Sequence, residues 1–355
     1  MWEIPPKQDE RILHQGVDMT KVIGIIGFAI LGGVFLMVGC TEGPEGPAGP
    51  AGTTDCIQCH NDGSEIPAIS GQWAVSNHAI GGNFERNGED CALCHTNEGF
   101  QEYIATGMMI SPDNPSAIGC FTCHAPHSMG DFSLRADTAV DMDEGGSFDF
   151  GTANLCANCH QARAVEPAVG DNIEVTSIRW GPHHGPQGNF LAGDLGYMAA
   201  GLDTTDPHQN ADNGCVDCHM AAPYGAQAGG HTMKMAYEYH GHDVPNVAGC
   251  NTADCHDGGI DDDTDWEAGG GFNYGFVQSE VMDLMDELRV ILLAEGLIDE
   301  DDYVFIPEGE DFVTFTLEQA EAVYYFRCVL EDRSHGIHNP DLTVSILEYS
   351  IGLFD

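Results

Sequence analysis

The segment NLCANCHQAR, residues 154–163, places Cys156, Cys159 and His160 in the pattern Cys-x-x-Cys-His. The same pattern occurs four more times: Cys56, Cys59 and His60; Cys91, Cys94 and His95; Cys120, Cys123 and His124; Cys215, Cys218 and His219. The spacing has a chemical reason. Two cysteines about one turn apart can form thioethers to the two vinyl groups of a haem, and the next residue then aims its imidazole at the iron. Zinc would use the paired sulfurs without needing a His after each pair. Disulfides in an exported chain do not need it either.

A sixth segment, GCNTADCHDGG at 249–259, holds Cys250, Cys255 and His256, with four residues between the cysteines instead of two. Cys250 follows Cys215 by 35 positions, as Cys91 follows Cys56. A longer spacer can loop out while both sulfurs still reach the vinyls. The segment resembles the Cys-x-x-x-x-Cys-His site of small tetrahaem cytochromes, so it is expected to hold a sixth haem; a disulfide beside an incidental His is the alternative.

Each iron has a second axial position. Filled, it favours electron transfer; open, it permits catalysis. Of the 17 histidines, six follow cysteines and His14 precedes the apolar N-terminal run, which leaves ten for six places. The neighbourhoods favour His78 in VSNHAIGG, His127 in CHAPHSMG, His183 and His184 in GPHHGP, His231 in GGHTM and His338 in SHGIHNP. His240 and His242 in YHGHDV are harder to place. No site reads Cys-x-x-Cys-Lys, the variant of many nitrite reductases.

The chain has 57 acidic and 11 basic residues, a formal net charge of -46. That balance excludes nucleic acid, whose phosphates need Lys and Arg. It also opposes electrostatic docking to an anionic bilayer. Residues 1–18 read as an upstream extension. Residues 19–39, with Lys21 before an apolar run, read as a lipoprotein signal, with Cys40 as the lipidated residue; an uncleaved anchor is the alternative, though the run is short for one. Residues 40–54, with GPEGPAGPAG, read as an extended spacer, since three Gly-x-y repeats are too few to count on a collagen trimer. The haem-binding region is 55–271. Its acidic end, GGIDDDTDWEAGGG at 258–271, suits calcium chemically but lacks EF-hand spacing, so a solvated loop competes.

Residues 272–355 carry a helical pattern. Val281, Leu284, Met285, Leu288 and Leu292 share one face of a predicted helix over 279–295. Residues 303–315 read as a hairpin. Thr316 and Gln319 form a capping-box signal for a helix to about Leu330. Asn339 and Pro340 open a last helix with Leu342, Ile346 and Leu347 inward. Cys328 reads as a buried thiol. The expected fold is mainly α with much irregular backbone, wrapped around six haems, short helices carrying the Cys-His motifs and C-terminal helices packing on the haem chain.

The haem motifs, NLCANCHQAR, GPHHGP and the ending YYFRCVLEDRSHGIHNP resemble exported multihaem c-type cytochromes. The family includes outer-membrane conduits, cytochrome filaments and nitrite or tetrathionate reductases. The resemblance implies an electron carrier of the extracellular type, a lipid anchor in the outer membrane or at the cell surface (or a periplasmic site), and redox proteins or an extracellular acceptor as partners, with homopolymer formation as a subclass. The competing reading is a reductase of the nitrite, hydroxylamine or tetrathionate type with one open iron. Arg163, Arg179 and Lys234 are the few basic residues near the motifs that could furnish its pocket.

Overall fold

The computed structural model describes residues 60, 63–163, 170, 172–261 and 269–355. The upstream extension, the signal, Cys40, the spacer, Cys56, Cys59 and residues 262–268 of the acidic loop lie outside the described residues. The described chain is mainly helical, with short elements separated by turns. The helices are α1 Ile66–Trp73, α2 Asn77–Ile80, α3 Glu89–His95, α4 Asn97–Thr106, α5 Cys120–Cys123, α6 Pro126–Met129, α7 Asn154–Ala157, α8 Gln187–Ala192, α9 Cys215–His219, α10 Val277–Ala294, α11 Leu317–Asp332 and α12 Pro340–Gly352. Three antiparallel strand pairs accompany them: β1 Val140–Asp141 with β2 Ser147–Phe148, β3 Ile173–Val175 with β6 Val313–Phe315, and β4 Ala236–Tyr239 with β5 His242–Pro245. Among the described residues no helix is long and apolar enough to cross a membrane.

The C-terminal region forms the largest core. On α10, Val281, Leu288 and Leu292 are fully buried, and Leu284 and Met285 pack at the margin of the same core. The helix α11 buries nearly its whole circumference, from Ala320 through Val329, so it is the central helix rather than an amphipathic cover. Its start is the expected capping box. The Gln319 amide donates to Thr316 Oγ1 at 3.2 Å, and the Thr316 amide donates to Gln319 Oε1 at 3.0 Å. Thr316→Ala is therefore expected to cost about 1 kcal/mol of stability in a denaturant titration. Asn339 caps α12 through the Leu342 amide at 2.9 Å, and Leu342, Ile346 and Leu347 are fully buried. The Cys328 thiol is buried, and desolvation pushes it up.

Two expectations need correction. Residues 303–315 do not form a hairpin. Val313–Phe315 pairs instead with Ile173–Val175, in the register Ile173↔Phe315 and Val175↔Val313. Ile173 and Val175 are both buried, and this period-two burial gives Phe315 a partner face far back in the sequence. Nor does every described motif sit on a helix, because Cys250 to His256 lies in a run of turns.

The core also crosses residue 272. Ile173, Val175, Trp180, Phe190 and Leu195 belong to the same apolar cluster as the C-terminal helices. Tyr324 Oη donates to the Leu195 carbonyl at 2.7 Å, and the Ala199 amide donates to Tyr325 Oη at 2.8 Å. The segment carrying GPHHGP is thereby fastened to α11.

Candidate haem-ligating centre

The motifs close in one way despite their different spacers. The His124 amide donates to the Cys120 carbonyl at 3.0 Å and the His160 amide to the Cys156 carbonyl at 2.9 Å. In the stretched motif the His256 amide donates to the Cys250 carbonyl at 3.1 Å, so the two extra residues loop out without breaking the closure.

The motifs also pack on one another. Cys94 Sγ lies 3.9 Å from the Asn158 carbonyl oxygen, and Cys159 Sγ lies 3.9 Å from that of Leu93, so the second and fourth motifs are reciprocal neighbours. Cys94, Cys123 and Cys159 line one cluster with Leu93, Phe100 and Leu155. The Cys156 and Cys215 side chains interact, which joins the fourth motif to the fifth. Gly249 lies so close to the fifth motif that a Cβ there would meet Cys218 Cα at 2.8 Å. The sixth motif is held against the fifth by that close approach.

Opposite the motif histidines stand other histidines. Ring centroids are 6.3 Å apart for His60 and His127, 5.9 Å for His78 and His160, and 6.4 Å for His124 and His231. They are 6.3 Å apart for His208 and His256, and 6.2 Å for His219 and His338. Two imidazoles sharing one metal ion, each nitrogen about 2 Å from it, hold their centroids roughly 6 Å apart. These five pairs therefore fit haem irons held between two imidazoles. The remaining motif histidine, His95, is in none of these ring pairs; His183 and His184 lie near it, their own rings 4.8 Å apart. Their charges act on one another: His95 is lowered by burial, then Arg86, Arg163 and His184, and His183 by burial, then His184, Arg163 and His95.

Local structure sets each of these rings. His78 is on α2, whose N-cap Ser76 is fully buried and accepts from the Ala79 amide at 3.2 Å. Its ring stacks on Trp73, with centroids 5.9 Å apart. His127 is on α6, opened by Pro126 and closed by Gly130 at φ 86°. The His231 amide donates to Gln72 Oε1 at 3.0 Å, which ties it to α1. His338 immediately precedes the Asn339 cap.

Side chains and carbonyls orient the rings through Nδ1, leaving Nε2 for a metal. His160 Nδ1 is 3.2 Å from Gln187 Oε1, and His219 Nδ1 is 3.1 Å from the Met233 carbonyl oxygen. His184 Nδ1 is 2.9 Å from Glu331 Oε2, and His338 Nδ1 is 2.6 Å from Asp332 Oδ1. His78 and His219 are pushed down to about 4, mainly by removal from water and then by neighbouring histidines. Both are thus neutral at pH 7, the form that ligates a metal.

His208, which faces His256, is not among the histidines that the sequence neighbourhoods favour. It sits on a 3-10 turn, Pro207–Asn210, whose N-cap Asp206 accepts from the His208 amide at 2.8 Å. The signal was present in DPHQN, where an Asp cap followed by Pro makes a rigid turn. His240 and His242 face none of the motif histidines in these ring pairs; His240 is in the tight turn between β4 and β5, and His242 opens β5. Arg163 lies 3.6 Å from Asp143 and donates to the Asp90 carbonyl at 3.3 Å. Arg179 lies over the Tyr303 ring, 5.9 Å from its centroid.

No family model and no curated protein matches the chain. Among solved structures it is similar to outer cell wall cytochrome OcwA, at 20% sequence identity and a TM-score of 0.45, over 80% of this chain and 50% of that one. The chain thus spans about half the length of that cytochrome. The functional reading rests on the cysteine and histidine geometry.

Proposed function

We propose that the chain is an exported electron carrier holding six covalent c-type haems, each between two histidines. Five facing histidine pairs at 5.9 to 6.4 Å carry this reading. Thioethers from the paired cysteines would attach each haem, and His60, His95, His124, His160, His219 and His256 would supply one axial ligand. His127, one of the pair His183 and His184, His231, His78, His338 and His208 would supply the other, in that order. When bound, the haems supply one-electron redox chemistry at iron. The protein's part is to hold both imidazoles, exclude water and set each ring's hydrogen bond.

Five of the motif histidines have a facing histidine within the same chain, which supports ligation within one copy. Packing of the second, third, fourth, fifth and sixth motifs against one another supports a continuous relay. An open iron with a basic pocket, which a reductase needs, has less support. Arg163 lies beside Asp143 and donates to the Asp90 carbonyl, while its Nε and one terminal nitrogen make no hydrogen bond, and Arg179 lies over Tyr303. A lipid on Cys40 would hold the carrier at an outer membrane or cell surface, and redox proteins or an extracellular acceptor would take its electrons.

The test uses full-length protein from a host with haem-attachment machinery. Mass spectrometry is expected to give six covalent haems, and the oxidised protein to show only low-spin iron. The ring planes cross at 85° for His78 and His160 and at 7° for His60 and His127, so their ferric spin-resonance signals should differ in anisotropy. One high-spin haem in the native protein would move the reading to the reductase. Five haems would mean that one motif, the stretched one first among them, carries none.

A further inference from the structure

The Nδ1 partners of the facing histidines are not equivalent. His160 and His219 meet neutral oxygens, those of Gln187 and Met233. Near His184 the charge of Glu331 is shared, since Arg327 lies 2.8 Å from Oε1 and Arg333 lies 3.7 Å from Oε2. His208 Nδ1 lies 3.0 Å from Asp206 Oδ1 without an aligned hydrogen bond, and the same oxygen accepts from the His208 amide.

Asp332 differs from all of these. Its side chain is 2% exposed, and His338 Nδ1–H donates to Oδ1 at 2.6 Å. Oδ2 accepts from the Ser334 hydroxyl and, at 3.3 Å, from the Ser334 amide. Among the described residues no Lys or Arg pairs with it within 4.0 Å. A buried carboxylate on Nδ1 with no cationic partner draws that proton and makes the ring a stronger donor through Nε2. The ferric state gains more from this than the ferrous state, so the potential falls. Low local polarity leaves the charge poorly screened.

We infer that Asp332 is a positioning residue that sets the iron between His219 and His338 to a lower reduction potential than the iron between His78 and His160. The inference rests on the six-haem reading above. The two sites are neighbours: His78 feels the charge of His219, and His160 that of His338. An electron on the fifth site would therefore pass to the fourth downhill, which gives this part of the relay a direction. The last turn of α11 would set that direction, and with it the C-terminal helices act on the redox centre as well as on stability.

The test is a potentiometric titration of the full-length holoprotein, followed by visible and spin-resonance spectra. Asp332→Asn keeps the shape and removes the charge. One of the six midpoints is expected to rise by at least tenfold in the reduction equilibrium, about 59 mV for one electron. Ser334→Ala removes the hydroxyl that donates to Oδ2 and leaves the carboxylate less compensated, so the same midpoint is expected to fall. General damage to the fold would not move one midpoint in opposite directions. Six low-spin haems with all midpoints unmoved in Asp332→Asn would overturn the inference. If Asp332→Asn loses haem, Ser334→Ala decides alone, and an unmoved or raised midpoint there overturns it. A haem count below six in the parent protein is a failure of the six-haem reading, seen by mass before any potential is measured.

Discussion

Replacing His208 by alanine is expected to turn one of the six ferric haems from low spin to high spin and to let its ferrous form bind carbon monoxide. His208 faces His256 with ring centroids 6.3 Å apart. The turn that carries it is held by Asp206, which is 7% exposed, and by Gln209, whose side chain donates to the Thr204 carbonyl at 2.9 Å. Alanine keeps the turn and removes the imidazole. The other ring beside His256 is Tyr274, edge-on with centroids 5.2 Å apart, and a phenol does not reproduce the imidazole's nitrogen donor. His242→Ala, on β5 away from the facing pairs, is the control and should leave the spectrum unchanged. Six low-spin haems in His208→Ala would mean that another group closes the sixth site.

Phe190→Ala is expected to cost about 3–5 kcal/mol, the range for truncating a fully buried aromatic side chain. Phe190 is 0% exposed and sits in the core shared with α10, α11 and α12. Its carbonyl accepts from Asn339 Nδ2 at 3.1 Å, and the preceding Gly188 donates its amide to the His160 carbonyl at 2.9 Å. Helix α8 thus joins the fourth motif to the cap of the last helix. The measurement is a denaturant titration of the holoprotein with the variant beside its parent. A loss below about 1 kcal/mol, the size of an ordinary single substitution, would show that the haem-binding and C-terminal regions do not share one core. If they do share it, the midpoint seen by haem absorbance and the one seen by helical signal should fall together.

Local chemistry was legible where it depended on few residues. The capping box at Thr316 and Gln319, the Asn339-Pro340 start of α12 and the buried face of α10 each need only residues within one or two turns. The supposed hairpin at 303–315 failed for the opposite reason. Residues 313–315 find their strand partner at 173–175, and no local spacing encodes a pairing across so long a separation. The facing histidines follow the same division. His127 and His338 stood out because a nearby motif or helix start framed them. His208 did not, because its partner His256 is brought to it by folding, with ring centroids 6.3 Å apart.

By itself the sequence determined the number and kind of attachment motifs. The two cysteines and the histidine of each motif lie within five to seven consecutive residues, so their spacing can be read directly from the chain. It determined as well the strongly acidic balance of the chain and that ten histidines are available beyond the six that follow cysteines and His14. Only the tertiary structure decided which histidine faces which, that the motifs pack as neighbours, and that Asp332 and Glu331 at the end of α11 reach two different sites. Those relations depend on atoms brought within a few ångströms across long loops. The energy of such contacts is set by distance and burial, which no local run of residues specifies.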